Sequence, residues 1–208
     1  MLITLLAGCA PQSGEQPQPV MGTVQTEPGF YPSETGFSWT YLPEGAKSSE
    51  PPYVVSVSGP GVLAGNTATR FVFRGRGQER TFYRKIDAEG SWLLGMEEAL
   101  SKTTVTFSPP LKEYPSPAEM RVGAQWGGQT QTKIEGGEEP LSFSLSYTFT
   151  ITGQKQVEVP AGEFEAFTVQ FFASSPDQPA EQYEIWFVPK VGEVRTREGL
   201  LLTDWSFK

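Results

Sequence analysis

The stretch from Leu141 to Ile151 reads LSFSLSYTFTI. Leu141, Phe143, Leu145, Tyr147, Phe149 and Ile151 take alternate positions, with Ser142, Ser144, Ser146, Thr148 and Thr150 between them. Successive side chains of a strand point to opposite faces, so this alternation separates a greasy face from a wet one. Such one-sided sorting belongs to an antiparallel sheet, because parallel strands are covered on both faces. The odd-numbered side chains are expected to face the core. The same period predicts strands at 36–42, 52–58, 68–74, 80–87, 103–108, 129–135, 154–159, 164–172, 182–188, 193–197 and 201–207. Between them lie turn signals such as Arg74-Gly75-Arg76-Gly77, Glu135-Gly136-Gly137 and Pro160-Ala161-Gly162. Only GMEEALSK, 95–102, reads as helical, and only for a turn or two. The expectation is one all-β meander spanning 31–208.

Composition agrees. Gly 22 and Pro 18 in 208 residues favour turns over long helices. A net charge of −8 excludes nucleic acid as a general partner, since a phosphate backbone demands a basic face. The chain has no His, the commonest general base and metal ligand, and a single Cys, so it forms no internal disulfide. No metal site and no cofactor are expected.

The single Cys sits at position 9, after MLITLLAG. Leu6-Ala7-Gly8-Cys9 resembles the bacterial lipobox, where a signal peptidase cuts before a Cys whose thiol then carries a diacylglycerol. On this reading 1–8 is a signal peptide, short and without a basic segment ahead of its apolar run. Cys9 is the lipidation site. Residues 9–30, rich in Pro, Gln and Gly, form a flexible linker to the domain. The expected location is the cell envelope, anchored through the N-terminal lipid. Ala10, where an inner-membrane retention signal would be Asp, points to the outer membrane of a diderm.

Three further segments carry a family resemblance. FYPSETGFSWTY (30–41) is followed by TFSPPLKEYPSPAEMRVGAQW (106–126), then by VEVPAGEFEAFTVQF (157–171) and YEIWFVPKVGEVR (183–195). Their order and the motifs G-x-x-W-x-Y, V-P-A-G-x-F and W-F-x-P-x-V-G resemble a group of bacterial lipoproteins of unknown function. That resemblance implies a single curved antiparallel sheet wrapped into an open half-barrel, similar to the periplasmic lipoprotein carriers, with at most one or two short helices. It implies no catalytic residues.

Enzyme signatures are absent: no G-x-S-x-G, no P-loop, no H-E-x-x-H. Glu97, Glu98, Asp87, Glu89 and Asp204 fall in turns or polar stretches, where a solvated charge is the simpler reading. No catalytic residue is assigned, and the chain is read as a non-enzyme. One charge feature stands apart. Arg70, Arg74, Arg76, Arg80, Arg84 and Lys85 face only Glu79 within 70–85. The even spacing of Arg70 with Arg74, and of Arg80 with Arg84, would let a hairpin present all four on one solvent face as an anion site. The simpler alternative is a solvated hairpin in an acidic domain.

The strands at 164–172 and 182–188 carry apolar residues on both faces, which a ligand, a partner or the protein must cover. Phe171 and Trp186 are the expected contacts to an apolar ligand. The leading functional expectation is a membrane-anchored envelope lipoprotein that binds an apolar or amphipathic ligand, or a partner segment, on its curved sheet. Its alternatives are a structural subunit of an envelope complex and, third, a hydrolase of envelope polymers.

Overall fold

The computed structural model describes residues 28–137, 139–176 and 178–207. Cys9 and the linker up to residue 27 lie outside them. Twelve strands follow in chain order. The first six are β1 (Ser38–Pro43), β2 (Tyr53–Leu63), β3 (Asn66–Gly75), β4 (Gln78–Asp87), β5 (Gly90–Glu98) and β6 (Thr103–Tyr114). The rest are β7 (Gln125–Glu135), β8 (Leu141–Val159), β9 (Gly162–Ser175), β10 (Gln178–Val188), β11 (Gly192–Arg195) and β12 (Leu200–Trp205). Each strand pairs antiparallel with its chain neighbours, except that β1 also pairs with β12. The sheet therefore closes into an up-and-down barrel.

Closure overturns the open half-barrel. β1 supplies both missing ladders: Trp39 lies opposite Val55 of β2 and Trp205 of β12. A half-barrel would leave two strand edges with unpaired N–H and C=O groups, and closing the ring removes both edges. The expected helix also disappears. Residues 95–98 end β5, with Gly95, Met96, Glu97 and Glu98 opposite Thr106, Val105, Thr104 and Thr103. Flanking strands on both sides give those residues ladder partners, which outweighs their modest helical propensity. The only helical element among the described residues is a 3₁₀ turn at Pro117–Glu119.

β8 runs as one strand of 19 residues where the pattern predicted two. A bulge between Ile151 and Gly153 joins the halves. Tyr147, Phe149 and Ile151 are buried as the alternation requires, whereas Leu141 at the rim is 44% exposed. Pro160 and Ala161 link β8 to β9, and Gly162 opens β9 at φ 135°, a backbone that side chains resist.

The two barrel ends differ. The chain enters beneath one end, where Tyr31 stacks on Tyr114 at 5.4 Å and packs on Phe187 at 5.5 Å. Its hydroxyl donates to the Pro115 carbonyl, and the Phe30 carbonyl accepts the Lys190 N–H. These contacts floor the barrel. In the wall above, β6 stops pairing with β7 after Ser108. There the Lys112 N–H donates to the Tyr147 hydroxyl at 2.9 Å, and the Trp126 indole N–H donates to the Lys112 carbonyl at 3.2 Å. Side chains thus satisfy backbone groups that the ladder leaves free. The β3–β4, β5–β6, β9–β10 and β11–β12 turns gather at the other end, which is the mouth.

No helix of the described residues is long and apolar enough to cross a membrane. Around β7 and β8 the outward side chains are Gln129, Gln131, Lys133, Ser144, Ser146 and Thr148. That wall carries no apolar band of the kind that faces lipid in a membrane-spanning barrel.

Candidate functional site

Eight strands make a barrel that side chains can fill, and the enclosed space grows with strand number. Twelve leave a lumen of about 200 Å³. Its middle is aromatic: Phe71, Phe73, Phe82, Phe149 and Phe171 line it. Phe171 stacks on Tyr183 at 4.4 Å and meets Phe149 at 4.7 Å. Strand pairing sets this layer, because Phe71 lies opposite Phe82, and Phe171 lies between Phe149 and Tyr183.

Toward the floor the lining turns ionic. The Arg84 guanidinium donates twice to Glu113, Nε to Oε2 at 2.6 Å and Nη2 to Oε1 at 3.0 Å. Its plane also lies over Phe71 at 4.9 Å and Phe82 at 5.1 Å. Burial opposes its charge, but the carboxylates of Glu113 and Glu193 outweigh that and raise its pKa. Opposite, the Tyr114 hydroxyl donates to Glu193 Oε1 at 2.8 Å, and the Tyr41 hydroxyl donates to the Glu193 carbonyl at 2.9 Å. Burial pushes the Glu193 carboxyl from 4.5 up to about 7, despite the opposing pull of Arg84 and of the Tyr114 hydrogen bond. Both phenols are raised well above 10 by burial and by the Glu193 charge, so they remain donors. At the mouth, Arg197 pairs with Glu198 at 2.9 Å and stands over Phe82 at 5.3 Å. Arg80 reaches Glu98 at 3.4 Å and Glu198 at 3.8 Å. No group of acidic or Cys side chains among the described residues is placed to hold a metal ion.

The expected sites are redistributed. The arginine hairpin forms, but its four arginines do not share a face. Arg80 lies opposite Phe73 and Arg84 opposite Thr69, so both join the inward set, whereas Arg70 and Arg74 alternate with Phe71 and Phe73 and point outward. Even spacing within each strand was visible, but the register between strands decides the shared face. Outside, Arg74 pairs with Glu79 at 2.8 Å and Arg70 Nη2 donates to the Ser58 carbonyl at 3.3 Å. No common anion site results. Because the Arg74–Glu79 pair is solvated, Arg74→Ala is expected to leave the thermal midpoint unchanged in scanning calorimetry.

Phe171 and Trp186 also separate. Phe171 is buried in the lumen wall. Trp186 lies on the outer surface, its indole N–H donating to Glu184 Oε1 at 2.7 Å, with Lys155 and Arg195 over its ring. Parity explains it: Tyr183 faces inward, three residues before Trp186. Glu113 and Glu193, central to the site, passed unmarked in the sequence. Glu193 follows Gly192 in PKVGEV, a stretch that reads as turn chemistry, and nothing local tells that the barrel folds it inward.

The fold and site define an antiparallel barrel with a ligand-sized, aromatic and ionic lumen. No family model matches the sequence, and no curated protein does. Two solved structures are similar. One is a "putative lipoprotein" of Parabacteroides distasonis, 13% identical, covering 88% of this chain and 100% of its own, with a TM-score of 0.47. The other is a "putative exported protein with YmcC-like fold" of Bacteroides fragilis, also 13% identical, covering 86% and 99%, with a TM-score of 0.46. Likeness at that level carries no residue role to this chain.

Proposed function

We propose that this chain is a non-enzymatic, membrane-anchored lipoprotein of the cell envelope that holds a small amphipathic ligand inside its barrel. The observation that carries the reading is the lumen of about 200 Å³, aromatic in its middle and ionic at both ends. A dry cavity of about 150 Å³ accommodates benzene, so this space suits one short alkyl chain or a single ring. It is too small for a molecule with two long chains. Ligand sites combine an apolar lining with a few polar groups that fix orientation, and this lumen has that composition. The lipobox-like Leu6-Ala7-Gly8-Cys9 and the linker composition behind it support attachment to a membrane through Cys9. The binding surface in this reading is the interior, where the sequence suggested one face of an open sheet.

The test is displacement of an environment-sensitive fluorophore by short-chain amphiphiles, using the soluble domain without Cys9. Leu145 lines the lumen toward the mouth, half-buried. Leu145→Trp is expected to occupy that space and weaken binding by at least about tenfold, a 1.4 kcal/mol effect. Wild-type protein that takes up neither fluorophore nor amphiphile would overturn the reading. So would a Leu145→Trp variant that binds as tightly as wild type.

A further inference from the structure

The charges in the lumen do not balance. Four carboxylates line it, Glu113, Glu181, Glu193 and Glu198, against Arg84 and Arg197, with Arg80 reaching Glu198 from the mouth, so carboxylates still outnumber guanidinium groups. Arg84 is engaged twice by Glu113, and Arg197 is engaged by Glu198. Glu193 has no such cation to itself: the hydrogen bond to its carboxyl comes from the neutral Tyr114 hydroxyl, on Oε1. Around it stand aromatic groups. Tyr41 is bonded to its carbonyl, Tyr114 to its carboxyl, and Trp39 donates its indole N–H to Val191 at 2.6 Å and packs against the neighbouring Gly192. A buried carboxylate that is bonded through its side chain only by a neutral hydroxyl, in a cavity with more carboxylates than guanidinium groups, lacks a dedicated partner of opposite charge, and a cationic head group would supply one.

We propose that the lumen is selective for amphipathic organic cations, an alkyl or aryl amine whose ammonium group sits at Glu193 and whose apolar body lies along the Phe71–Phe171 layer. This rests on the lumen being a binding site and adds the sign of the ligand's charge. An anionic ligand would meet Glu113, Glu193 and Glu198 with Arg80, Arg84 and Arg197 already paired. A neutral one would bring no counter-charge to Glu193, whose nearest cation, Arg84, is bonded to Glu113.

The titratable groups around Glu193 are Arg84 from β4, Glu113 and Tyr114 from β6, Tyr41 from β1 and Tyr183 from β10, with Glu198 of the β11–β12 turn acting from the mouth through its charge. An ammonium needs the ionised form of Glu193, and an alkylamine stays protonated far above neutrality, as Lys does. Amine affinity should therefore fall as the pH drops below about 7, where the Glu193 carboxyl takes up its proton. Binding at pH 6 should release a proton to buffer.

Octylamine, octanol and octanoate share one chain and differ in head charge, so titration calorimetry with the three separates the questions. At pH 8, octylamine is expected to bind at least about tenfold more tightly than octanol, with octanoate weakest; a tenfold preference corresponds to 1.4 kcal/mol. Glu193→Gln should abolish the amine preference while octanol still binds, which shows that the lumen is intact. Octanol or octanoate binding as tightly as octylamine would overturn the charge selectivity and leave the cavity reading standing. A pH-independent amine affinity between 5 and 8 would also overturn it. If none of the three binds, the proposed function itself fails.

Discussion

Replacing Arg84 with Met is expected to destabilise the barrel by about 3–5 kcal/mol, the usual cost of removing one partner from a buried ion pair. The reason is what stays behind. Glu113 would lose both hydrogen bonds from the guanidinium, at 2.6 and 3.0 Å, and Glu193 would lose its nearest positive charge. The Arg84 and Glu113 side chains are only 20% and 14% exposed, and they face the lumen, so bulk water screens them poorly. In a domain of this size each kcal/mol moves the thermal midpoint by about 2–4 °C, so a fall on the order of 10 °C is expected. The pair need not be strongly stabilising for this to hold. Replacing both partners with neutral side chains of similar volume is often close to neutral. Arg84→Met combined with Glu113→Met should therefore recover most of the loss, leaving a coupling of roughly 2–3 kcal/mol in the double-mutant cycle. A single Arg84→Met variant as stable as wild type would mean that water reaches this cluster freely.

How far the sequence reveals this molecule depends on the range of the interactions involved. Period-two sorting is local, and it marked the half of β8 from Leu141 to Ile151 without ambiguity. Turn chemistry is local too, and Pro160-Ala161-Gly162 announced the β8–β9 hairpin. β5 failed on the same scale: GSWLLGMEE has apolar residues on both sides, so no alternation marks it, and its end reads as a helix. Closure is not local at all. Trp39 pairs with Trp205 across nearly the whole chain, and no property of SWTYLP says that it carries two ladders instead of one. The site inherits that difficulty. In the sequence Arg84 stands out as a cation and Phe171 as an aromatic, whereas nothing local marks Glu113 or Glu193. They become one site only when the barrel closes and the inward set of every strand shares a single space.

Glu193 offers the sharpest consequence of that enclosure. Its carboxyl is raised from 4.5 to about 7, with burial the largest cause. Between those values the folded protein keeps a proton that the unfolded chain has lost, so stability falls as pH rises through this window. The contribution is fully present below about pH 4.5 and is gone above about pH 7. At 1.36 kcal/mol per pKa unit the loss is about 3 kcal/mol. Carboxylates shifted the other way, among them Asp87, Glu119 and Glu198, lose stability only at lower pH, below the unfolded carboxylate range. Urea unfolding between pH 5 and 8 therefore isolates Glu193. Wild type is expected to weaken across that range, whereas Glu193→Gln, neutral throughout and still able to accept from Tyr114, is expected to stay level. The two should be close at pH 5, and the variant should lead by about 2–3 kcal/mol at pH 8. A wild type that gains stability over this range, or a variant that keeps the wild-type slope, would show that the Glu193 carboxylate is well solvated inside the barrel. If the slope is found, an ammonium ligand should reduce it, because a cation beside Glu193 returns to the ionised carboxylate the stabilisation that burial took away.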